Sequence, residues 1–423
     1  MKIWMMNHYA TLMLQNRAGR HYSFAKELEN RGNNVTVFCS SASSTEAQGV
    51  TFTGNEKWTE KQDGESSFVF VKNKAYKANG LDRIKNMVSF YFKLFPVTKQ
   101  YSKQKGKPDV IIASSVHPLT MVAGIKIAKR MKVPCICEIR DLWPEAIFSF
   151  GQAKEKSFLG KILVKGEHWI YKKADALIFT KEGDTDYLKE RNWTTAQGGD
   201  VDLGKCFYIN NGVDIRSYDE RISSEAINDP DLDDDSKFNV LYCGTIRPVN
   251  NVGNMLDAAK ILLSKAGCED IQFVIYGDGS ELDKLRQRTI DEGLSNVKLK
   301  GRIPKQNIPY VLSKSSVNIL NYSQKEYNWT RGNSSNKLFE YMASGKPIIS
   351  TVKMGYSIIN KYSCGMELEE CTPECLAEAI LQFHNMSKSE RKVIGDHARE
   401  GAADFDFPIL TDKLETVIKY VIR

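Results

Sequence analysis

The chain has 423 residues, of which 42% are hydrophobic and 26% are charged. This length predicts two to three domains of roughly 150 residues each, and the composition excludes a largely disordered chain. No apolar stretch approaches the roughly 18 residues that a membrane-spanning helix needs, and the apolar run at the N-terminus is too short for the core of a signal peptide. The nine cysteines include no CxxC pair, so we expect a reduced, cytosolic protein without a Cys/His metal site.

The net charge of +7 is distributed unevenly along the chain. Ten basic residues stand against one acid between Lys72 and Lys107, whereas the segment Asp219–Asp235 holds eight acids and one Arg. An acidic, Pro-containing segment near the midpoint is typical of a solvated connector between domains. The predicted organisation is an N-terminal domain over 1–215, an acidic linker over 216–236, a C-terminal domain over 237–405, and a helix over 406–423 that packs back on the N-terminal domain.

Short β-rich apolar runs alternate with helix-length amphipathic segments in both halves of the chain. The elements predicted in the first half are strand Lys2–Met6, helix Gly19–Arg31, strand Asn34–Phe38, a basic aromatic helix over about 81–105, strand Val110–Ala113, helix Leu119–Met131, and strands Cys135–Ile139, Ala176–Phe179 and Cys206–Ile209. Those predicted in the second half are strand Asn239–Cys243, helix Asn254–Lys265, strand Gln272–Tyr276, helix Glu281–Glu292, strands Val297–Lys300 and Val317–Leu320, helix Asn336–Ala343 and strand Pro347–Ser350. This alternation predicts an α/β protein with two doubly wound, Rossmann-like domains of parallel sheet that face a central cleft. Ligands of such sheets bind outside the carboxyl ends of the strands, so candidate residues are sought in the loops that follow them.

The predicted loops of the first half carry polar side chains that an acceptor or a sugar could contact. They are His8, Arg17, Arg20, His117, Arg140 and Asp141. Any one of them has an ordinary structural interpretation, since a His at a strand end can satisfy a local hydrogen bond and Arg140 can pair with Asp141. His8, His117, Arg140 and Asp141 are expected to gather at one rim, and the convergence of these four favours a functional site.

In the second half, the segment from Gly332 leads through Ser334 or Ser335, as the N-cap, into the helix Asn336–Ala343. The free N–H groups and the positive dipole of a helix start suit a phosphate. Asn336 and Lys337 lie in its first turn, and Glu340 follows one turn later, where a carboxylate can accept from ribose hydroxyls. The alternative is a well-capped surface helix with a solvated Lys and Glu.

Two further loops of the second half are candidates for a nucleotide. Arg247 and Asn251 follow the strand Asn239–Cys243, and the guanidinium of an Arg pairs with a diphosphate in a bidentate way. A surface salt bridge is the alternative for Arg247. Gly277 belongs to a GxG turn that permits close backbone approach, although such turns are common.

The basic helix over about 81–105 has two apolar faces. We expect the first face to pack on the core; it consists of Leu81, Ile84, Val88, Tyr91, Phe92 and Phe95. The second face is interleaved with basic residues and suits an anionic membrane surface; it consists of Met87, Phe90 and Leu94, with Arg83, Lys85 and Lys93. Packing against a neighbouring helix is the alternative, and the lack of a nucleic-acid-binding module argues against nucleic acid.

Eight stretches carry a resemblance to a known family: KIWMMNHYA, RHYSFAKELENRGNNVTVF, CEIRDLWPEAI, FYINNGVD, VLYCGTIRPVNN, VIYGDG, LKGRIPK and NSSNKLFEYMASGKPIIST. Together they resemble the retaining glycosyltransferases of family 4, which have the GT-B fold, and among these the bacterial O-antigen and capsule enzymes of the N-acetylfucosamine transferase type. The resemblance implies transfer of an N-acetylated or deoxy hexose from a UDP-sugar to an undecaprenyl-diphosphate-linked saccharide, with retention of configuration. It also implies a bacterial cytoplasmic protein that associates peripherally with the inner face of the plasma membrane and needs no metal or cofactor.

The resemblance assigns roles to residues at matching positions. Glu340 corresponds to the Glu that binds the ribose of the donor, and Arg247 to a cationic clamp on the diphosphate. Arg140 and Asp141 lie in the loop where many relatives place a His near the transferred sugar. The remaining assignments are the diphosphate loop Ser334, Ser335, Asn336 and Lys337, and the base-binding backbone of Arg302 and Ile303.

Two departures from the family pattern affect the expected chemistry. Gly332 stands where family 4 usually has a Glu that contacts the donor sugar, and Asn16 and Arg17 replace a Gly-Gly turn before the first helix. Arg17 could add a phosphate contact at a rebuilt acceptor site. These departures leave open a non-catalytic subunit that binds a sugar nucleotide or the membrane. A UDP-sugar epimerase on the same fold is a further alternative to a transferase.

Overall fold

The computed structural model describes residues 1–42, 50–76, 80–115, 117–149, 151, 153–324 and 328–422. The chain forms two compact units, one of Met1–Asn210 with Phe407–Arg423 and the other of Asn211–Asp406. The acidic segment predicted as a linker is part of the second unit. It contains a helix, and its Asp231 lies within salt-bridge distance of two lysines on a neighbouring strand. These lysines offset part of the acidic charge of the segment, while Asp234 and Asp235 are exposed.

The first unit contains a single eight-stranded sheet among its described residues. Its strands are β1 (Lys2–Met6), β2 (Asn34–Ser40), β3 (Trp58–Asp63), β4 (Ser66–Val71), β5 (Val110–Ser114), β6 (Cys135–Ile139), β7 (Ala176–Phe179) and β8 (Cys206–Tyr208). The order is β3-β4-β2-β1-β5-β6-β7-β8, and every pair is parallel except β3 with β4. The β3–β4 hairpin was not predicted and corrects the expectation of a purely parallel sheet.

Helices cover both faces of this sheet. They are α1 (Met13–Asn16), α2 (Arg20–Asn30), α3 (Leu81–Lys105), α4 (Pro118–Met131), α5 (Trp143–Ser149), α6 (Phe158–Lys173) and α7 (Asp184–Glu190). Successive side chains of β1 point to opposite faces: Trp4 and Met6 pack into one cluster, and Ile3 and Met5 into the other. Because both faces are covered, the strand is an unbroken apolar run rather than an alternating one.

The second unit holds a six-stranded parallel sheet. Its strands are β9 (Phe238–Cys243), β10 (Ile271–Tyr276), β11 (Val297–Gly301), β12 (Val317–Leu320), β13 (Ile348–Ser350) and β14 (Gly365–Glu367), in the order β11-β10-β9-β12-β13-β14. Its helices are α8 (Ile215–Ser224), α9 (Val252–Leu263), α10 (Leu282–Asp291), α11 (Ile308–Ser313), α12 (Asn336–Ala343), α13 (Ile358–Tyr362), α14 (Pro373–Asn385) and α15 (Lys388–Ala403). Two doubly wound α/β domains confirm the predicted fold class.

The last helix, α16 (Phe407–Ile422), belongs to the first unit although it follows the second in the chain. Its apolar face joins the cluster that contains Phe24 and Leu28 of α2. Arg31, directly after α2, lies 2.6 Å from Asp412 and 3.2 Å from Glu415 of α16. Apolar packing and ion pairs therefore hold the two ends of the chain in one domain.

Helix α3 buries the opposite face from the one predicted. Met87, Phe90 and Leu94 lie in the core, whereas Leu81 is 74% exposed and Phe92 is 64% exposed. The buried stripe continues through Val97 and Tyr101 to the end of the helix, whereas the exposed one runs into Pro96, Lys99 and Lys103. The full length of the helix, rather than its first half, determines which face packs.

In each sheet, the chain first adds strands on one side of a central strand and then returns to add strands on its other side. The two neighbouring strands at this change of side are β1 and β5 in the first unit and β9 and β12 in the second. The crevice outside the carboxyl ends of such a pair is the usual ligand site of a doubly wound sheet. The loops after these four strands therefore define the site in each unit.

Candidate functional site

Lys337 is at the centre of the second unit's site. Its Nζ lies 3.3 Å from the hydroxyl of Tyr242, 4.8 Å from the centre of the Tyr242 ring and 4.3 Å from that of Tyr322. Tyr242 comes from β9, and Tyr322 from the loop after β12. Burial lowers the pKa of Lys337 to about 7, and the positive charge of Arg247 acts in the same direction. Lys337 and Arg247 thus interact electrostatically in the site at the carboxyl ends of the central strands.

The segment that leads into α12 is fixed by polar contacts that leave the helix start uncapped by a side chain. Ser335 is the N-cap, but its hydroxyl accepts from Tyr322 (2.7 Å) and makes no bond to the first turn. The N–H of Ser335 donates to Asn333 (2.7 Å), and the carbonyl of Ser334 accepts from Asn211 (2.5 Å). An anion at this position would meet the unsatisfied N–H groups and the positive end of the helix dipole.

Glu340 and Asn336 complete the face of α12 that was predicted to meet a nucleotide. Asn336 is exposed at the first position of the helix. The Glu340 carboxylate is 19% exposed and lies 3.8 Å from the Nζ of Lys305, in the turn after β11. This distance leaves the carboxylate free to accept from a hydroxyl group that enters the site.

Arg247 is exposed and begins a short turn that ends at Asn251. Asn251 adopts a left-handed conformation with φ 47°, and its side-chain amide lies 3.6 Å from the Sγ of Cys371. Its carbonyl accepts from Asn321 at 2.8 Å. These contacts fix the end of the loop that carries Arg247.

Gly277 brings three loops together at the carboxyl edge of the second sheet. Its N–H donates to the carbonyl of Gly301 (2.8 Å), and a Cβ at Gly277 would lie 1.8 Å from the carbonyl oxygen of Gly244. Any side chain at this position would push the two loops apart. Arg302, which is exposed, and Ile303, which is half-buried, follow Gly301 directly and therefore lie at the same edge.

Gly332 has a backbone conformation that a Glu adopts only with strain. Its φ is +97°, in the region that favours glycine. The backbone at this position therefore has a conformation that a Glu would disfavour. The loop itself is well anchored: the Gly332 N–H donates to the carbonyl of Trp329 at 3.2 Å.

In the first unit, His8 and His117 form a buried pair at the ends of β1 and β5. His8 Nδ1 lies 2.7 Å from His117 Nε2, and the His8 ring stacks between Tyr9 and Phe90 at centroid distances of 4.6 and 4.5 Å. Burial lowers the pKa of His8 to about 3 and holds that of His117 well below its usual range. Both rings are neutral at physiological pH.

Arg20, predicted at the acceptor site, lies inside the domain. It is buried, its Nε donates to Glu138 at 2.7 Å, and its Nη2 donates to the carbonyl of Ile209 at 2.9 Å. Burial alone would raise the pKa of Glu138, but the charges of Arg20 and His21 hold it well below its usual range. This ion pair joins β6 to α2 inside the domain.

The other predicted residues of the first unit lie in two places. Arg17 has its side chain 72% exposed, 3.7 Å from Asp63 of β3. Arg140 follows β6; its N–H donates to Ser115 (2.9 Å) and its carbonyl accepts from Thr180 (3.0 Å), while Asp141 beside it is half-buried. The carboxyl ends of β5, β6 and β7 are thus tied together around Arg140.

Comparison with known proteins identifies the family. The model of the family "Glycosyltransferase Family 4" matches residues 20–217, and that of "Glycosyl transferases group 1" matches residues 237–385. The chain belongs to the glycosyltransferases. The first match covers most of the first unit and runs seven residues into the second, and the second match lies wholly within the second unit.

Sequence relatives of this glycosyltransferase are distant. It is 25% identical over 204 residues to an uncharacterized glycosyltransferase of Methanocaldococcus jannaschii, across 47% of this chain and 54% of the relative. It is 19% identical to a Pseudomonas aeruginosa protein named as the glycosyltransferase WbjE, across 68% of this chain and 69% of that one. The chain thus spans only about half the length of the first of these relatives.

Solved structures resemble the glycosyltransferase over nearly its whole length. Sucrose-phosphate synthase from Thermosynechococcus elongatus matches 99% of this chain and 98% of its own, with 14% identity and a TM-score of 0.69. Anabaena HepE in complex with UDP matches 99% and 100% (15%, TM-score 0.64), and an E. coli trehalose-6-phosphate structure with bound UDP-2-fluoro glucose matches 99% of both chains (11%, TM-score 0.71). These likenesses confirm the GT-B fold. Among the described residues, no helix combines the length and the apolar character that crossing a membrane requires.

The two tyrosines around Lys337 were not predicted as site residues of this glycosyltransferase. Tyr242 lies within the apolar run of β9, and Tyr322 follows β12 in a loop for which no candidate residues were predicted. The available signal was the position of Tyr322 directly after a central strand, where a ligand site is expected. Arg83 was assigned to a membrane face, but its Nε donates to the hydroxyl of Tyr9 at 3.2 Å, beside the His8 ring.

Proposed function

We propose that this glycosyltransferase transfers an N-acetylated or deoxy hexose from a UDP-sugar to a lipid-linked saccharide, with retention of configuration, in the synthesis of a bacterial surface polysaccharide. The observation that carries the proposal is the pair of cations, Lys337 and Arg247, at the uncapped start of α12. This arrangement suits the diphosphate of a nucleotide sugar. Two of the structural neighbours were solved with UDP or a UDP-sugar derivative.

Catalysis rests on stabilising the diphosphate as it leaves. Negative charge develops on it in the transition state, where Lys337, Arg247 and the helix start would each stabilise it by a few kcal/mol. In a retaining reaction of this kind, the acceptor hydroxyl attacks from the side of the leaving group. Its proton then passes to a diphosphate oxygen, so no protein nucleophile is needed. Glu340 would bind the ribose, and the backbone of Arg302 and Ile303 would bind the base.

The first test identifies the donor. A panel of UDP-, GDP- and dTDP-sugars is screened for thermal stabilisation of the full chain, since a ligand at about 100 times its dissociation constant adds about 2.7 kcal/mol. We expect one UDP-sugar to stabilise the protein more than UDP alone. Stabilisation without transfer to any acceptor would instead support a non-catalytic subunit, and interconversion of the sugar without an acceptor would support an epimerase.

The second test concerns the clamp. We expect Arg247→Ala to retain less than about a tenth of wild-type turnover, because it removes a charge that stabilises the leaving group. Lys265→Ala is the matched control, since Lys265 is exposed just beyond the far end of α9, a helix of 12 residues that begins next to this loop. A retained turnover above about a tenth in Arg247→Ala would contradict its assignment. We also expect activity to persist in a chelator.

We further propose that the first unit docks on an anionic membrane through its exposed apolar side chains. On α3 these include Leu81 and Phe92, and on α6 Phe158 is 83% exposed and Leu159 is 54% exposed. Helix α4 packs against both α3 and α6, so all three belong to one helix layer. Both α3 and α6 begin at the carboxyl edge of the sheet, where an acceptor would bind. Basic residues border them, as Lys85 does on α3 and Lys161 on α6.

Vesicle flotation tests the membrane proposal. We expect the wild type to float with phosphatidylserine-containing vesicles and not with phosphatidylcholine alone, because apolar insertion and anionic attraction act together. Phe92→Ser with Phe158→Ser should abolish flotation. The double change Val393→Ser with Ile290→Ser, at exposed positions of the second unit, is the control and should leave it intact. Equal flotation of both double variants would contradict this docking surface.

A further inference from the structure

A second cavity lies at the amino ends of the strands in the second unit, at the opposite edge of the sheet from Arg247 and Lys337. It has a volume of about 420 Å³, within the range of about 300–1,000 Å³ that small-molecule pockets occupy. Phe238 at the start of β9 and Pro347 just before β13 form part of its wall. The proposed reaction does not use this cavity.

The lining of the cavity is rich in cations. It contains six Lys or Arg side chains against three Asp. Lys346 is half-buried, and it has no ion pair or hydrogen bond from its Nζ to any described residue. Burial lowers its pKa, and the positive charges of Arg391 and Lys314 act in the same direction. Lys314 already pairs with Asp233 at 3.0 Å, whereas the half-buried ammonium of Lys346 beside Arg391 is unfavourable until an anion joins it.

Backbone carbonyls hold the Arg391 guanidinium in place through one of its nitrogens, Nη1. Its Nη1 donates to the carbonyls of Phe383 (3.0 Å) and Met386, and the guanidinium lies 5.1 Å from the centre of the Phe238 ring. Such fixation reduces the entropy that a binding event would cost. The planar fork of an Arg also matches phosphate oxygens in a bidentate way.

The acidic residues restrict the type of anion. Asp270 is paired with His384 at 3.0 Å, but Asp234 and Asp235 also line the cavity. These carboxylates would repel a second phosphate group, and they would accept hydrogen bonds from hydroxyl groups. The lining therefore favours one phosphate on a hydroxylated body over a polyphosphate, a nucleic acid or an anionic membrane.

We propose that this cavity binds a small sugar phosphate, with the phosphate between Lys346 and Arg391 and the sugar hydroxyls toward Asp234 and Asp235. The site is separate from that of the nucleotide sugar, and α12 connects the two. Lys337 lies in its first turn, and Lys346 follows three residues after its last residue, Ala343. Occupation of the cavity would thus stabilise the far end of the helix that carries the diphosphate site.

Isothermal titration of the full chain with glucose 6-phosphate, at low salt and with or without excess UDP, tests the proposal. We expect binding that UDP does not compete away and that Lys346→Gln weakens about tenfold or more, as for loss of a charged hydrogen bond. Lys284→Gln, which removes an equal charge from an exposed position on α10 of the same unit, should change the affinity less than about twofold.

A second variant covers the case in which Lys346→Gln does not fold. Lys388 is exposed at the first position of α15 and lines the cavity. A positive charge at a helix start is unfavourable next to the positive end of the helix dipole, so Lys388→Gln does not destabilise the helix. We expect this variant to weaken binding several-fold. The proposal fails if glucose 6-phosphate does not bind, if UDP displaces it, or if both cavity variants bind it as the wild type does. It also fails in its sugar part if inorganic phosphate binds as tightly as glucose 6-phosphate.

Discussion

The protonation of Lys337 links the stability of the free protein to pH. Its pKa is about 7 in the folded chain and about 10.4 in an unfolded one. Between these values the unfolded chain holds a proton that the folded chain has released, so the free energy of unfolding rises with pH by up to about 1.4 kcal/mol per unit. We expect Lys337→Met to lose this rise between pH 7 and 9. Urea denaturation of both proteins across this range measures the free energy of unfolding. If it rose equally with pH in both proteins, the lowered pKa of Lys337 would be contradicted.

Nucleotide binding should show the opposite dependence on pH. A diphosphate favours the ammonium form of Lys337, so binding takes up a proton once the pH exceeds about 7. We expect the affinity for UDP to fall between pH 7 and 9, by up to about tenfold per unit. The dependence should disappear in Lys337→Met, which removes the titrating group. Isothermal titration in two buffers of different ionisation enthalpy measures the proton uptake, and its absence in the wild type would contradict contact with Lys337.

Restoring the usual family residue at position 332 should not help. Gly332 has φ +97°, and a side chain in this region costs roughly 1–3 kcal/mol. We therefore expect Gly332→Glu to lower the free energy of unfolding by this amount and to gain no activity. Gly332→Ala should lower the free energy of unfolding by a similar amount. Because Ala adds no charge, this variant separates backbone strain from the effect of the Glu charge. Stable, more active Gly332→Glu protein would show that the loop accommodates the family's acidic residue.

At the scale of the element, the two apolar faces of α3 should differ in what they stabilise. Leu94 lies in the core, so Leu94→Ala should cost about 2–5 kcal/mol. Leu81 is largely exposed, and Leu81→Ala should stay within about 0.5 kcal/mol of the wild type. Chemical denaturation measures both. Similar losses in the two variants would contradict the observed orientation of the helix.

The bounds of a helix or strand were predictable where the local sequence alone determines them. The strands β1, β6, β7 and β12 and the helix α12 match their predicted bounds, since each is a compact apolar run or an amphipathic stripe between clear loop signals. The hairpin of β3 and β4 was missed because β3 is a polar edge strand whose pairing with β4 fixes its conformation. The face of α3 was wrong because both faces are apolar over its first half.

The positions of the site loops were predictable, but the environment of each side chain was not. The carboxyl ends of central strands located the loops of Arg247 and His8 from sequence alone. Burial of Arg20 depends on Glu138, which is 118 residues away and which no local pattern connects to it. The cavity around Lys346 likewise requires α15 and the start of β9, which only the folded chain brings together.

At the scale of the whole molecule, the second unit resembles an insertion into the first. It is a continuous segment, Asn211–Asp406, whose two ends are joined: the N–H of Val213 donates to the carbonyl of Phe405 at 3.1 Å. The first unit, by contrast, needs α16 from beyond this segment to cover Phe24. One continuous segment therefore forms the whole core of the second unit, whereas the core of the first unit needs two separate segments of the chain.

Expression of the separate segments tests this difference. We expect residues 211–406 alone to unfold cooperatively and to bind UDP, because both faces of the six-stranded sheet remain covered by helices of the same segment. Residues 1–210 alone should be unstable or aggregate, because the loss of α16 exposes the apolar surface around α2. A fusion of 1–210 to 407–423 through a flexible linker should restore the first unit, since the α2–α16 contacts return. Circular dichroism during denaturation distinguishes the three segments, and a stable 1–210 fragment would show that α16 only covers a core that is already complete.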